Sequence, residues 1–565
     1  MDFTNFANFI DINSVINKKE NNLQTIKAKA KIYEIKSLGN IPFPEQDLNL
    51  IHERKFTPNG VSLAFNAGST RAFTSGIGYV LGLFDIPIGD KNAFTAANYI
   101  SSASGGSWFL GTYFYGKQAN NLTEEEILGR PIPLKLINDL TLNTYNYDKK
   151  TFLPQTYYQS NSYLKLITAA IKGPPEKIWI NFCAEKFLKP YNIENKVVSL
   201  NKFFADELKL NNPNIKDVII PPPEFPYWIC DGSLIYSPIV EEGLTVVPMT
   251  AMYAGFPQIL GSGNEKVGGN LIETFAYGCK IPSIKEQLNP DILKNVEIPL
   301  NQGYFTLDDM IGISSASYIY ETYLISQDTN SNLILKNADK LNPTYDLWSY
   351  ENPNSTKQAQ YGDGYLSGGG SGILPLLSRG VKKIICFLSP GSDIVVKPDS
   401  VEYYLTTTNV FGLAIAPLYG TCTNSPPFTS NPNSAQVFES KYYQDFINQA
   451  TARFNSGDVV FVRQKLPVLT NLQNGILGNY EVDLLYIILR TNNNFNSQLP
   501  INISSQFTNI FSPFYQFPNY PEAIFRDQFI DYPKEKTNLL ISYCYWTIQE
   551  TELKSIIQNF YKENE

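Results

Sequence analysis

Residues 98–114 read NYISSASGGSWFLGTYF, setting Ser101, Ser102, Ser104 and Ser107 among three glycines, between an apolar segment and an aromatic one. A nucleophilic serine at a strand-to-helix turn needs small neighbours, because the backbone there is crowded and strained. Ser104 meets that demand, with Ala103 before it and Gly105 and Gly106 after it. A helix starting there would aim its first N–H groups at developing negative charge. The pattern departs from G-x-S-x-G, since Ser102 occupies the first glycine position. The same small residues would equally let a helix pack close to a sheet without any chemistry. The other three serines lack the symmetric small flanks.

A second turn of the same kind is NAGSTRA, residues 66–72. The N–H groups of Gly68 and Ser69 could form an anion-binding nest there, with Arg71 beside it. An ordinary surface ion pair is the plainer role for Arg71. The difficulty is the base. The chain has one histidine, His52, whose setting LNLIHERKF reads as an exposed and inert approach to a strand. Either there is no serine chemistry, or a carboxylate takes the proton. The best-placed carboxylate is Asp363, which opens the glycine-rich loop of YGDGYLSGGGSGILPLLSRGVKKIICFL. An ordinary Asp-Gly turn is the alternative, as in CDGS at Asp231. The SGGGSG run lacks the G-K-[ST] of a nucleotide phosphate loop.

These residues must be carried by a scaffold. With 565 residues, 43% of them hydrophobic, the chain can bury a large core, as one α/β domain with insertions or as two domains. VSLAF, then NAGS, then TRAFTSGIGYVLGLF reads as strand, turn, helix, and AANYI, SSASGGS, SWFLGTYF repeats the grammar. Two such units in series predict a parallel sheet. PYWIC, LTVVPM, KKIICFL, DVVFV and VDLLYIIL are further strands, apolar enough to be covered on both faces. The expected fold is therefore α/β, with a mostly parallel central sheet flanked by helices and carrying insertions. Residues 1–45, polar and Lys/Asn-rich with helical spacing around LQTIKAKAKIYEI, read as an N-terminal extension to a body spanning 46–565. Asn-rich stretches mark loops, and position and composition suggest a lid over about 320–351.

Composition narrows the function classes. The net charge is -8 with both signs interspersed, so there is no basic footprint for nucleic acid. Six scattered cysteines without a C-x-x-C pair read as buried thiols in a reducing compartment, and with a single histidine they offer no metal-ligand cluster. No cofactor is called for. The N-terminal residues lack a secretory h-region, and no apolar run approaches the ~20 residues of a membrane span. The expectation is a cytoplasmic protein without a transmembrane segment, at most peripheral to a membrane.

Taken in order, the motifs resemble the catalytic domain of the cytosolic phospholipase A2 / fungal phospholipase B (lysophospholipase) family, from about residue 57 onward. NAGSTRAF resembles the family's S-G-G-G-[FY]-R-A-M segment, and SASGGSW its G-L-S-G-[GS]-[ST]-W nucleophile elbow. MTAMYAG followed by GISSAS resembles F-T-P-Y-E-x-G and G-[TS]-S-x-S, while GDGYLSGGGSGILPLLSRGVKKIICF resembles the aspartate motif. Ser69 and Ser102 stand where the family has glycine, and Tyr253 stands where it has glutamate. The resemblance implies a patatin-like α/β fold with Ser104 as nucleophile and Asp363 as base, a dyad without histidine. It also implies oxyanion N–H groups from Gly68 and Ser69, Arg71 on the substrate phosphate, and a phospholipid or lysophospholipid substrate at a membrane surface. The rival expectations are a patatin-like esterase of neutral lipids and a catalytically inactive lipid-binding or scaffold protein.

Overall fold

The computed structural model describes residues 26–34, 43–46, 56, 59–158, 162–236, 238–239, 243–280, 294–300, 303–317, 339–349, 352–368, 371–391, 415–421, 434–520 and 531–563. His52, Cys422 and residues 320–338 and 350–351 of the expected lid lie outside them; of the lid's described residues, Thr344–Ser349 form a strand.

Among the described residues, thirteen strands join in one sheet. In chain order they are β1 (Ile26–Glu34), β2 (Val61–Phe65), β3 (Tyr99–Ser102), β4 (Tyr227–Ile235), β5 (Thr245–Thr250), β6 (Tyr253–Leu260), β7 (Val267–Glu273), β8 (Lys294–Leu300), β9 (Thr344–Ser349), β10 (Asn352–Asp363), β11 (Lys383–Leu388), β12 (Val460–Pro467) and β13 (Glu481–Ile488). The order across the sheet is β8-β1-β7-β6-β5-β4-β3-β2-β11-β13-β12, with β9 and β10 joined off this path. Among the described residues, the neighbours β4-β3-β2-β11-β13 run parallel to one another, and β9 meets β7 in a short parallel contact. Antiparallel pairing takes over at both ends, so the sheet is mixed and the expectation of a mostly parallel one is corrected. The physical reason is connectivity. Helical crossovers return the chain parallel in the strand-turn-helix units, whereas the run from β4 through β7 is joined by short turns, which force antiparallel neighbours.

The helical reading of the N-terminal stretch is also corrected, because IKAKAKIYE is strand β1, inserted between β8 and β7. Its alternation buries Ala28, Ala30 and Ile32 and turns the lysines between them away from the core, a period of two that a helix cannot use. Farther on, Glu45 is fully buried and accepts from Arg379 Nε at 2.7 Å and from Tyr253 Oη at 2.7 Å, which ties residues 43–46 to the body.

Four helices bear on the candidate site: α1 (Ser69–Phe84), α2 (Gly105–Asn120), α3 (Leu307–Ser314) and α4 (Lys534–Gln549). Two apolar layers form the core. One holds Phe73, Phe109, Cys230, Leu234, Met249, Ile311 and Tyr361; the other, on the opposite face of the sheet, holds Ala64, Ile229, Ile384, Cys386 and Tyr486.

Candidate active site

β2 and β3 each end in a small-residue turn and restart as α1 and α2, so both turns lie at the carboxyl edge of the parallel strands, where open α/β sheets build their sites. Ser104 occupies the second turn at φ 53°, ψ −124°. For a residue with a side chain this strain costs on the order of 1–3 kcal/mol, so the surroundings must enforce it. Its N–H donates to Ser314 O at 2.9 Å, with Ser314 Oγ at 3.1 Å, and its carbonyl accepts from the N–H groups of Ser107 and Trp108. Ser104 is nearly enclosed, with 7% of its surface exposed.

The neighbouring serines are structural. Ser101 Oγ donates to Asp231 at 3.0 Å. Ser102 Oγ bonds to Ser107 Oγ at 2.9 Å and accepts from Trp228 Nε1 at 2.8 Å, and Ser314 Oγ donates to Ser107 Oγ at 2.8 Å. A glycine at 102 would take this acceptor from the buried indole N–H, which explains the serine there.

Asp363 comes from the opposite direction. Along one edge of β4, residues 227–230 pair with β3, and residues 232–235 pair with β10 running antiparallel. The strand bearing Ser104 and the strand bearing Asp363 therefore meet end to end on a shared partner, Ser102 opposite Cys230 and Asp363 opposite Gly232. The approach is close: a Cβ added to Gly364 would stand 3.0 Å from Ala103 Cβ. The pleat puts Asp363 on the face of Cys230, Leu234 and α3, and sends Asp231 to the other face beside Ser101. Asp363 is buried; its Oδ1 accepts from Tyr365 N–H at 3.1 Å and its own N–H donates to Ala316 O at 3.1 Å. The end of α3 thus braces both turns, holding Ser104 through Ser314 and Asp363 through Ala316. No hydrogen bond between Ser104 Oγ and the Asp363 carboxylate is among those formed by the described residues.

The first turn abuts Ser104 directly. A Cβ on Gly105 would stand 1.9 Å from Ser69 O. Gly68 has φ 150° and Ser69 φ 50°, so the serine at 69 holds a left-handed backbone that glycine would take without strain. The first N–H groups of α1 have no acceptor within the helix.

Arg71 is fully buried rather than on the surface: Nε donates to Ser389 O at 2.9 Å and Nη1 to Tyr520 O at 2.7 Å. Its guanidinium lies beside Gly68, whose added Cβ would stand 3.4 Å from Nη2. Next to it is a residue for which the sequence carried no signal. Lys536, in the first turn of α4, has its ammonium 4.3 Å from the Tyr520 ring and 4.4 Å from the Tyr532 ring. Burial, and then the charge of Arg71, push its pKa down to about 8. Two cations are thus buried side by side, with Glu535 opposing their mutual repulsion. The α3 brace was visible only as the GISSAS segment, and its bonds to the two turns are long-range.

A cleft of about 1110 Å³ lies elsewhere. It is lined by Leu81, Phe84, Pro131, Phe225 and Trp546, at the far end of α1 from Ser69 and Arg71. Among the described residues, no helix is long and apolar enough to cross a membrane.

No family model matches the chain, and no curated protein matches it. Among solved structures, human GIVD cytosolic phospholipase A2 is similar at a TM-score of 0.43 and 12% identity, over 90% of this chain and 63% of that one. The same human enzyme in complex with methyl gamma-linolenyl fluorophosphonate inhibitor and terbium chloride gives a TM-score of 0.40 and 12% identity, over 92% of this chain and 61% of that one. The chain thus spans less than two thirds of these neighbours' length, and the likeness is loose. What the candidate site can do rests on its own residues.

Proposed function

We propose that this protein is a lipid acyl hydrolase that cleaves fatty-acyl esters of glycerophospholipids or lysophospholipids through an acyl-serine. The observation that carries the reading is Ser104, strained at a strand-to-helix turn, with Asp363 arriving end-on along the same edge of β4. Asp363 takes the Ser104 proton as Oγ attacks the acyl carbonyl. The N–H groups of Gly68 and Ser69 hold the oxyanion, and the departing alkoxide takes the proton back. Water, deprotonated by Asp363, then attacks the acyl-serine; the bond to Ser104 Oγ breaks, Asp363 returns the proton to Oγ, and the fatty acid is released. With a reference pKa of about 4, aspartate is a weak base for an alcohol, so positioning and oxyanion stabilisation must supply most of the acceleration. The serine-aspartate contact closes when substrate displaces solvent, as catalytic hydrogen bonds often tighten only in the complex. Arg71, with Lys536 beside it, binds the phosphate.

A fluorophosphonate probe should label wild-type protein at Ser104, and Ser104→Ala should lose both labelling and hydrolysis while keeping its circular dichroism. A wild-type protein that resists labelling and hydrolyses no ester is the scaffold alternative instead. A neutral-lipid esterase is the second reading, favoured because two guanidinium nitrogens of Arg71 already serve carbonyls. Turnover of triacylglycerol in preference to phosphatidylcholine would select it.

A further inference from the structure

No charged residue stands between Arg490 and Glu522, in a chain where 17% of residues are charged. Soluble surfaces carry roughly 25–35% charged residues, so a stretch this long without any is a surface selected against charge, or a buried one. This one is buried along one side, through Phe495, Ile503, Phe514 and Phe517, and exposed along the other. Ile501, Ile510 and Phe511 are exposed, Phe511 to 90%. Leu136 and Leu140 are exposed on a second segment, and Asn502 Nδ2 donates to Asp139 Oδ2 at 2.8 Å, which ties the two segments together. The ridge is further bound by Gln506 Nε2 donating to Asn502 O at 2.6 Å and Ser512 Oγ donating to Gln506 Oε1 at 2.9 Å. Half of the large apolar side chains that the described residues leave exposed lie on this one hydrogen-bonded ridge.

We infer that this ridge is a docking platform for the neutral surface of a lipid bilayer. Apolar tips on short turns, set among Asn, Ser, Thr and Gln, suit insertion into the boundary between headgroups and acyl chains, where apolar area supplies affinity. Absence of charge from 491–521 matters equally, with Lys135 and Asp139 the charged residues of the second segment, because a chain of net charge -8 is repelled by anionic lipid and gains nothing electrostatic from zwitterionic lipid. The platform is also continuous with the candidate site. Its chain runs on to Asn519, which donates to Pro390 O and Leu489 O at the carboxyl edge of β11 and β13, and to Tyr520, whose carbonyl accepts from Arg71. Docking here would bring that edge to the membrane. The inference rests on the reading above only in taking the partner to be lipid.

The test is flotation of the full chain with phosphatidylcholine vesicles, comparing wild type, Ile510→Ser/Phe511→Ser and Phe203→Ser/Leu210→Ser. The last pair removes exposed apolar side chains elsewhere. Wild type should partition onto vesicles equally at low and high salt. The ridge variant should lose on the order of tenfold or more in partition coefficient, and the control pair should lose little. Hydrolysis of a water-soluble short-chain ester should be the same in all three. Absence of wild-type partition, equal losses in both variants, or a wild-type dimer that the ridge variant converts to monomer by light scattering would each overturn the platform. If wild type hydrolyses no ester yet floats through the ridge, the hydrolase reading fails and the platform stands.

Discussion

Gly105→Ala probes whether the two turns act as one device. The new Cβ would stand 1.9 Å from Ser69 O, 2.6 Å from Ser69 C and 2.8 Å from Ser69 Cα, against a closest tolerated approach near 3.0 Å. All three atoms are backbone, so no side-chain rotation relieves the clash, and the Ser104 and Ser69 turns must part by about 1 Å. Overpacking of this kind costs about 1–3 kcal/mol of stability. A displacement of ~1 Å between reacting groups costs on the order of 10²-fold in rate. If Ser104 is the nucleophile and Ser69 helps hold the oxyanion, ester hydrolysis should fall by about that factor, in kcat, in a protein that remains folded. Gly78→Ala supplies the control. Its Cβ would meet Ile541 O at 2.4 Å and Cys544 Cβ at 2.6 Å, a milder clash of the same kind between α1 and α4. Urea denaturation and short-chain ester kinetics on both variants give the two numbers. Equal activity losses at equal stability, or a folded Gly105→Ala enzyme within threefold of wild type, would refute the assignment of the two turns.

Asp363→Asn keeps a carbonyl oxygen for Tyr365 N–H and removes only the basic charge, so circular dichroism should be unchanged while hydrolysis drops by on the order of 10³-fold or more. Lys536 is held near pKa 8, below its unfolded value of about 10.5, so its cation destabilises the fold below pH 8 and the penalty disappears as pH rises toward 10.5. Lys536→Met should therefore be more stable than wild type at pH 7, by up to about 3 kcal/mol, and lose that advantage by pH 10.5 in denaturant titrations. The ratio of phospholipid to neutral-ester turnover should fall as pH rises through about 8 in wild type and be flat in Lys536→Met. Glu45→Gln leaves the buried Arg379 without its counter-charge and should cost about 3–5 kcal/mol in urea denaturation, with the short-chain ester rate retained below the transition.

How much of this was legible follows from the range of the forces involved. The turns at 66–72 and 101–107 announce themselves because close backbone approach excludes side chains, and that steric demand is written locally in Ala, Gly and Ser. The strands of the parallel core were readable for a similar reason, since covering both faces requires unbroken apolar runs. β1 was misread although its strict alternation carries a period of two; its short alanines present a weak apolar face to a reader looking for helical spacing. The chain by itself also determined that, with one histidine, any serine chemistry would need a carboxylate as its base.

Only the tertiary structure decided which serine is strained and which are spent on hydrogen bonds, because the partners Trp228, Asp231 and Ser314 lie far along the chain. Only pairing could bring the ends of β3 and β10 together, since both take the same edge of β4. The crowding of Lys536 against Arg71 and the burial of Glu45 on Arg379 are of the same kind. Local composition specifies where a backbone can bend, whereas the field and company of a charge are fixed only when distant segments pack.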